Sequence, residues 1–168
     1  ALLEHHGINS KQFWSQRAKE LVEAGYDPPL AYLNLLLREV APGKPLAGLT
    51  NAKLTEFGRD VVDKTWFPGL PDIFEELRES VSGYRDVSIE FYIVSGGLQA
   101  VIEGSPTVQK YISGVYGCQF GESADTGAIS EVRRGVTFTE KTRFLFEINK
   151  GIAPAEAPFR ASCHRRWP

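Results

Sequence analysis

Apolar positions recur at helical spacing through the first third of the chain. Phe13, Trp14, Ala18, Leu21 and Val22 predict a helix over residues 11–24, capped by Ser10 and stopped by Gly25. Pro28 and Pro29 open a second helix, with Leu30, Leu33, Leu36, Leu37 and Val40 on its apolar side. The run Ala41-Pro42-Gly43-Lys44-Pro45 breaks the pattern, and Thr50 with Asn51 begins a third helix that ends near Val62. Residues 9–62 thus read as a small all-helical unit.

The pattern changes after Trp66. Phe67-Pro68-Gly69-Leu70-Pro71 is a turn. Pro71 suits the first position of a helix running to about Ser82, whose early acidic residues Asp72, Glu75 and Glu76 favour its N-terminal end. Gly83 stops it. Residues 87–94 are rich in β-branched and aromatic types and read as a strand ending in Ser95-Gly96-Gly97. A helix over Leu98 to Glu103 follows at once, then a short one over 105–112. Two strands are expected over 115–120 and 128–133, with the Gly/Ser/Asp-rich stretch 121–127 as a loop between them. Thr137 or Thr139 caps a last helix, Glu140 to Asn149. Helix, strand, helix, strand, strand, helix is the order of an α/β sandwich.

Composition narrows this picture. Leu, Ile, Val and Phe clear the floor of roughly 20% below which disorder is expected. One domain of ordinary size fits 168 residues. A net charge of −2 argues against binding nucleic acid or a membrane surface through bulk basicity, and the pairs Arg133-Arg134 and Arg165-Arg166 are too small for a nucleic-acid footprint. Every apolar run is interrupted well short of the ~18 residues a membrane span needs. There is no secretory signal pattern at the N-terminus, and two cysteines make no disulfide framework, so a cytoplasmic setting is expected. The chain holds no Met, which points to a piece of a longer protein. The tail, 153–168, has no periodicity. It reads either as a disordered terminus or as a place where the natural sequence is lost by truncation or a shifted frame.

Two features carry candidate chemistry. At Ser95-Gly96-Gly97 a hydroxyl can bond an anionic oxygen, glycines let the backbone approach closely, and a helix N-terminus offers free N–H groups. Taken alone, such a tripeptide more often makes a tight turn without a ligand. The other is Lys141, in the first turn of the last helix, where a cation opposes the helix dipole. Together, Ser95 and Lys141 can converge on one phosphate, for which a compact ammonium is suited. His5-His6 reads as solvated. Cys163-His164 with Cys118 lacks zinc spacing. Trp14, Trp66 and the pair Phe144 and Phe146 read as core side chains rather than stacking platforms.

FYIVSGGLQAVIEG at 91–104 and VTFTEKTRFLFEINKG at 136–151 resemble the second and third motifs of the haloacid dehalogenase superfamily, in its phosphoserine-phosphatase-like branch. PGLPDIFEEL at 68–77 resembles the segment that leads into the second motif there. The resemblance covers most of residues 9–152. It implies an incomplete Rossmann-like α/β core over 66–152 with an inserted all-helical cap over 9–65. It also implies a phosphohydrolase acting on a small phosphorylated metabolite. In that family an Asp attacks phosphorus to form an aspartyl-phosphate, and a second Asp two residues later serves as acid and base. By the resemblance, Ser95 bonds a phosphoryl oxygen with the Gly96 and Gly97 backbone beside it. Lys141 neutralises charge on nucleophile and phosphate. Mg²⁺ would bridge nucleophile, phosphate and the acidic residues of a fourth motif.

The chain departs from that pattern at both ends. Asp-x-Asp occurs nowhere, and after Gly151 the tail offers only Glu156. Asp60, Asp63, Asp72, Asp86 and Asp125 end no apolar strand. The expected chain therefore carries cap, phosphate-binding Ser and Lys, but neither nucleophile nor metal ligands. Without the family's central strands it should expose apolar edges and be marginally stable or self-associating. A catalytically silent relative that binds a phosphorylated ligand, or a protein partner through the cap, is the alternative from a different class. A plain α/β scaffold is the third.

Overall fold

The computed structural model describes residues 1–152; the tail expectation for 153–168, Glu156 and Cys163-His164 lie outside them. The described chain is mixed α/β. Its first part is helical, as the periodicity predicts. A short α1, Leu2–His5, which the pattern does not reveal, precedes a continuous helical stretch of α2 (Ser10–Gln12), a π-helical turn (Phe13–Ala18) and α3 (Lys19–Glu23). Its cap is Asn9, whose Oδ1 accepts from the Gln12 N–H at 2.8 Å, and Ser10 is the first helical residue instead. Helix α4 spans Pro28–Arg38, with prolines in its first turn where no N–H is needed. Helix α5 spans Asn51–Val61, and Thr50 caps it by accepting from the Lys53 N–H at 3.1 Å.

A 3₁₀ turn, Asp63–Thr65, leads to α6, Asp72–Ser80, with Pro71 at the cap rather than inside the helix and Val81, not Gly83, closing it. The sheet follows: β1 (Phe91–Leu98), the helices α7 (Gln99–Gly104) and α8 (Pro106–Tyr111), then β2 (Ile112–Glu122) and β3 (Ile129–Arg134). Helix α9, Phe138–Asn149, closes the described chain. The strand order is β1-β2-β3, with β1 parallel to β2 and β2 antiparallel to β3. Two helices cross between the parallel strands, which is how a parallel pair must be connected. No strand pairs with the outer edge of β1 among the described residues.

Two boundaries differ from expectation for a physical reason. Val87, Ser88 and Glu90 are exposed and lie before β1, because pairing with β2 begins only at Phe91↔Ile112. Strand β1 also runs past Val94 to Leu98. Two of the predicted core aromatics are outside the core: Trp14 is 50% exposed and Phe146 57%, whereas Phe144 is 1% exposed.

One hydrophobic core runs through both parts of the chain, joining Phe13, Leu33 and Leu54 of the helical part to Leu98, Tyr116 and Phe144. Polar contacts cross the same boundary. The Asp63 carboxylate accepts from the Ser105 hydroxyl, from the Thr107 hydroxyl at 2.7 Å and N–H at 3.2 Å, and from the Trp66 indole N–H at 3.2 Å. Ser105 is fully buried and caps α8 by accepting from the Val108 N–H. Desolvation opposes the charged form of Asp63, but the hydrogen bonds from Ser105, Thr107 and Trp66 outweigh it and hold the carboxyl below its usual range. A depressed folded-state pKa contributes stability that is present above the unfolded value, roughly 3.9, and lost as pH falls through the folded one. Asp63→Asn is therefore expected to lower unfolding stability by about 1–3 kcal/mol at pH 7. The gap to wild type should shrink below about pH 4. Urea unfolding at both pH values checks this, and an unchanged midpoint at pH 7 contradicts it.

Candidate functional site

The Ser95-Gly96-Gly97 tripeptide does not lie beyond a strand end. Val94 faces Tyr116 and Leu98 faces Cys118, so three residues of β1 stand opposite Gly117 alone. The tripeptide is a bulge in the ladder, an arrangement that frees backbone groups and recurs beside active sites. Gly117 makes this possible from the other strand. A Cβ there would sit 2.8 Å from the Gln99 Cα, so only glycine lets β2 pass under the start of α7. The Gln99 Oε1 then accepts from the Gly117 N–H at 3.2 Å and from the Gln119 amide at 2.9 Å.

Within the bulge, Ser95 Oγ accepts from the Gly97 N–H at 3.0 Å. That leaves the hydroxyl hydrogen to donate, and it has no acceptor among the described residues. The Gly96 carbonyl accepts from the Tyr32 hydroxyl at 2.5 Å and from the Cys118 thiol at 3.2 Å. Burial, with Cys118 beside it, pushes the Tyr32 phenol far above its ordinary range, so it remains a neutral donor. Tyr32 and Cys118 are the site residues that the sequence does not reveal. Tyr32 lies 64 positions from Gly96, and nothing local marks it.

Cys118 also ties the bulge to the last helix. Its sulfur accepts from the Val136 N–H at 3.2 Å, and a Cβ on Gly96 would lie 3.5 Å from the Val136 oxygen. Val136 directly precedes Thr137, the cap of α9. Thr137 makes no side-chain cap bond to an α9 N–H; its hydroxyl meets that of Thr139 at 3.3 Å. The opening amides of α9 therefore keep their donors, which is the usual basis of anion binding. Lys141 sits in this first turn, exposed and without an ion pair among the described residues. Its neighbour Glu140 is neutralised by Arg143 at 2.6 Å, which also holds Glu147 at 2.8 Å. The bulge thus touches, through Gly96 and Cys118, the residue Val136 that leads into the helix turn carrying Lys141.

A cavity of about 390 Å³ opens beside the bulge, between the N-terminal helices, α4 and β1. Gly96, Gly97 and Leu98 form one wall, and Phe13, Trp14, Tyr32 and Leu36 form much of the other. Among the described residues no cluster of three or more His, Cys, Asp or Glu is placed to hold a metal. The groups at the bulge are a hydroxyl and glycine backbone, and the nearby first turn of α9 adds the exposed Lys141 and a Glu140 carboxylate already paired with Arg143. That donor set does not fit Mg²⁺, which takes carboxylate and phosphate oxygens. His5 packs edge-on against His6 and Phe57. No helix among the described residues is long and apolar enough to cross a membrane.

Comparison with known proteins adds one relative. The chain is 29% identical to an uncharacterized protein of Borreliella burgdorferi over 171 aligned positions. The match covers 89% of this chain and 58% of that protein, so the chain spans less than two thirds of the relative's length. No family model and no solved structure matches the chain.

Proposed function

We propose that this chain is the phosphate-holding part of a phosphohydrolase resembling the haloacid dehalogenase superfamily, acting on a small phosphorylated molecule. The observation that supports the reading most is the junction of the Ser95-Gly96-Gly97 bulge with the start of α9 through Cys118 and Val136. In this reading the Ser95 hydroxyl donates to one phosphoryl oxygen and the Gly96 and Gly97 backbone lies alongside. The opening amides of α9 face a second oxygen, and Lys141 balances the charge. These groups hold the phosphate and stabilise negative charge as it moves during transfer. The attacking aspartate, and any carboxylates for Mg²⁺, belong to chain outside these 168 residues. The outer edge of β1, which pairs with no strand among the described residues, is where an added strand can pair.

The coding sequence preceding Ala1 tests this. The reading expects an apolar strand ending in Asp-x-Asp in frame, and a longer protein that hydrolyses p-nitrophenyl phosphate with Mg²⁺ present. Substituting the first of those aspartates by Asn should then reduce turnover at least ~10³-fold, because the covalent step is lost. A longer protein that binds phosphate but has neither the pair nor turnover is the catalytically silent relative instead.

A further inference from the structure

The cavity beside the bulge has a chemical character of its own. No Asp, Glu, Lys, Arg or His side chain lines it. The two side-chain hydroxyls on its walls are those of Ser10 and Tyr32, and the Tyr32 hydroxyl is already spent on the Gly96 carbonyl. A ligand part rich in hydroxyls or charge would leave water there without replacement partners, which is unfavourable. Phe13, Trp14 and Tyr32 bring aromatic rings to the wall opposite the glycines, beside Leu2, Leu3 and Leu36. Trp14 lies 5.1 Å from the Phe13 ring, edge to face, and 5.5 Å from Tyr32, tilted. Half of the Trp14 surface is open to solvent, which is costly for an indole with no ligand against it. Phe13 and Trp14 lie in the π-helical turn Phe13–Ala18, a helix irregularity that recurs at binding sites. The volume is within the range of small-molecule sites.

We infer that this cavity receives a planar, apolar group and that the ligand of the site is an aryl phosphate monoester. The ring lies between the Phe13, Trp14 and Tyr32 side chains on one side and Gly96-Gly97-Leu98 on the other. Its phosphate reaches the bulge and the start of α9. The inference rests on the phosphate reading of Ser95 and Lys141 given above.

Calorimetric titration of the 168-residue protein tests it with four probes: inorganic phosphate, glycerol phosphate, 1-naphthyl phosphate and 1-naphthol. The expected result is that 1-naphthyl phosphate binds at least ~10-fold more tightly than glycerol phosphate and than 1-naphthol, since both stacking and phosphate contacts contribute. Trp14→Ala should bring the ratio of naphthyl to glycerol phosphate affinity close to one, and Trp14→Phe should keep most of it. Equal affinity for the two phosphate esters, with inorganic phosphate binding intact, overturns the aryl inference and leaves the phosphate reading standing. Naphthol binding as tightly as its phosphate, with no affinity for inorganic phosphate, overturns the phosphate reading and the ester assignment together. Binding of none of the probes overturns both.

Discussion

Gly58→Ala is expected to remove about 3 kcal/mol or more of folding stability, a large share of the usual total of about 5–15 kcal/mol. On an exposed helix the same substitution would stabilise by up to about 1 kcal/mol, because alanine is the better helix former. Here the sign reverses. A Cβ on Gly58 would stand 1.9 Å from the Val101 carbonyl oxygen and 2.8 Å from its carbon. Across the same contact, a Cβ on Gly104 would stand 2.1 Å from the Thr55 oxygen and 2.8 Å from the Arg59 nitrogen. Both obstacles are backbone, so no side chain can swing away. Helices α5 and α7 touch through their glycines, and α7 begins directly after the bulge at Leu98. Forcing them apart therefore disturbs Gln99, which holds Gly117. Gly83→Ala is the control. Nothing lies within 4 Å of its Cβ position, and its effect should stay within about 0.5 kcal/mol. Urea unfolding midpoints check both, and a Gly58→Ala midpoint equal to wild type contradicts the close crossing.

Lys141→Ala is expected to weaken binding of inorganic phosphate by about 10-fold or more without loss of stability. A hydrogen bond to a charged group is worth about 1.5–3 kcal/mol, or roughly one to two decades in affinity. Lys141 is exposed and has no ion pair among the described residues, so its removal should change stability by less than about 0.5 kcal/mol. Lys141→Arg keeps the charge but not the compact geometry, and should recover part of the affinity. Lys150→Ala, at the opposite end of α9, should leave phosphate binding at the wild-type level. Ser95→Ala should cost less than Lys141→Ala, since it removes one neutral donor, and the Gly97 N–H that Ser95 holds would also lose its partner. Calorimetry for affinity and urea unfolding for stability separate these outcomes.

Elements whose signals are local were legible in the sequence. Pro28 and Pro29 mark the start of α4 and Thr50 the cap of α5, because each acts on its own helix turn. Ser95-Gly96-Gly97 and Lys141 stand out locally in the same way, as candidates for a phosphate site. What depends on a distant partner was not. Val87 to Glu90 have strand-forming composition, but β2 begins pairing only at Phe91, so composition alone misplaces the strand by four residues. Two glycines read as a strand stop become a bulge because Gly117 of β2 leaves them room. Helical periodicity marks Trp14 as apolar without telling a cavity rim from a core. Tyr32 and Cys118 enter the site through contacts across the fold, to which no spacing in the sequence points.

The central claim is that one anion site joins the bulge of β1 to the first turn of α9. A ¹⁵N–¹H NMR titration of the 168-residue protein with inorganic phosphate tests it most directly. The account predicts saturable amide shifts at Ser95, Gly96 and Gly97 and at residues 138–141, two segments far apart in sequence moving together, with the rest of the spectrum little changed. Shifts that never saturate, or that saturate elsewhere in the chain, would contradict it.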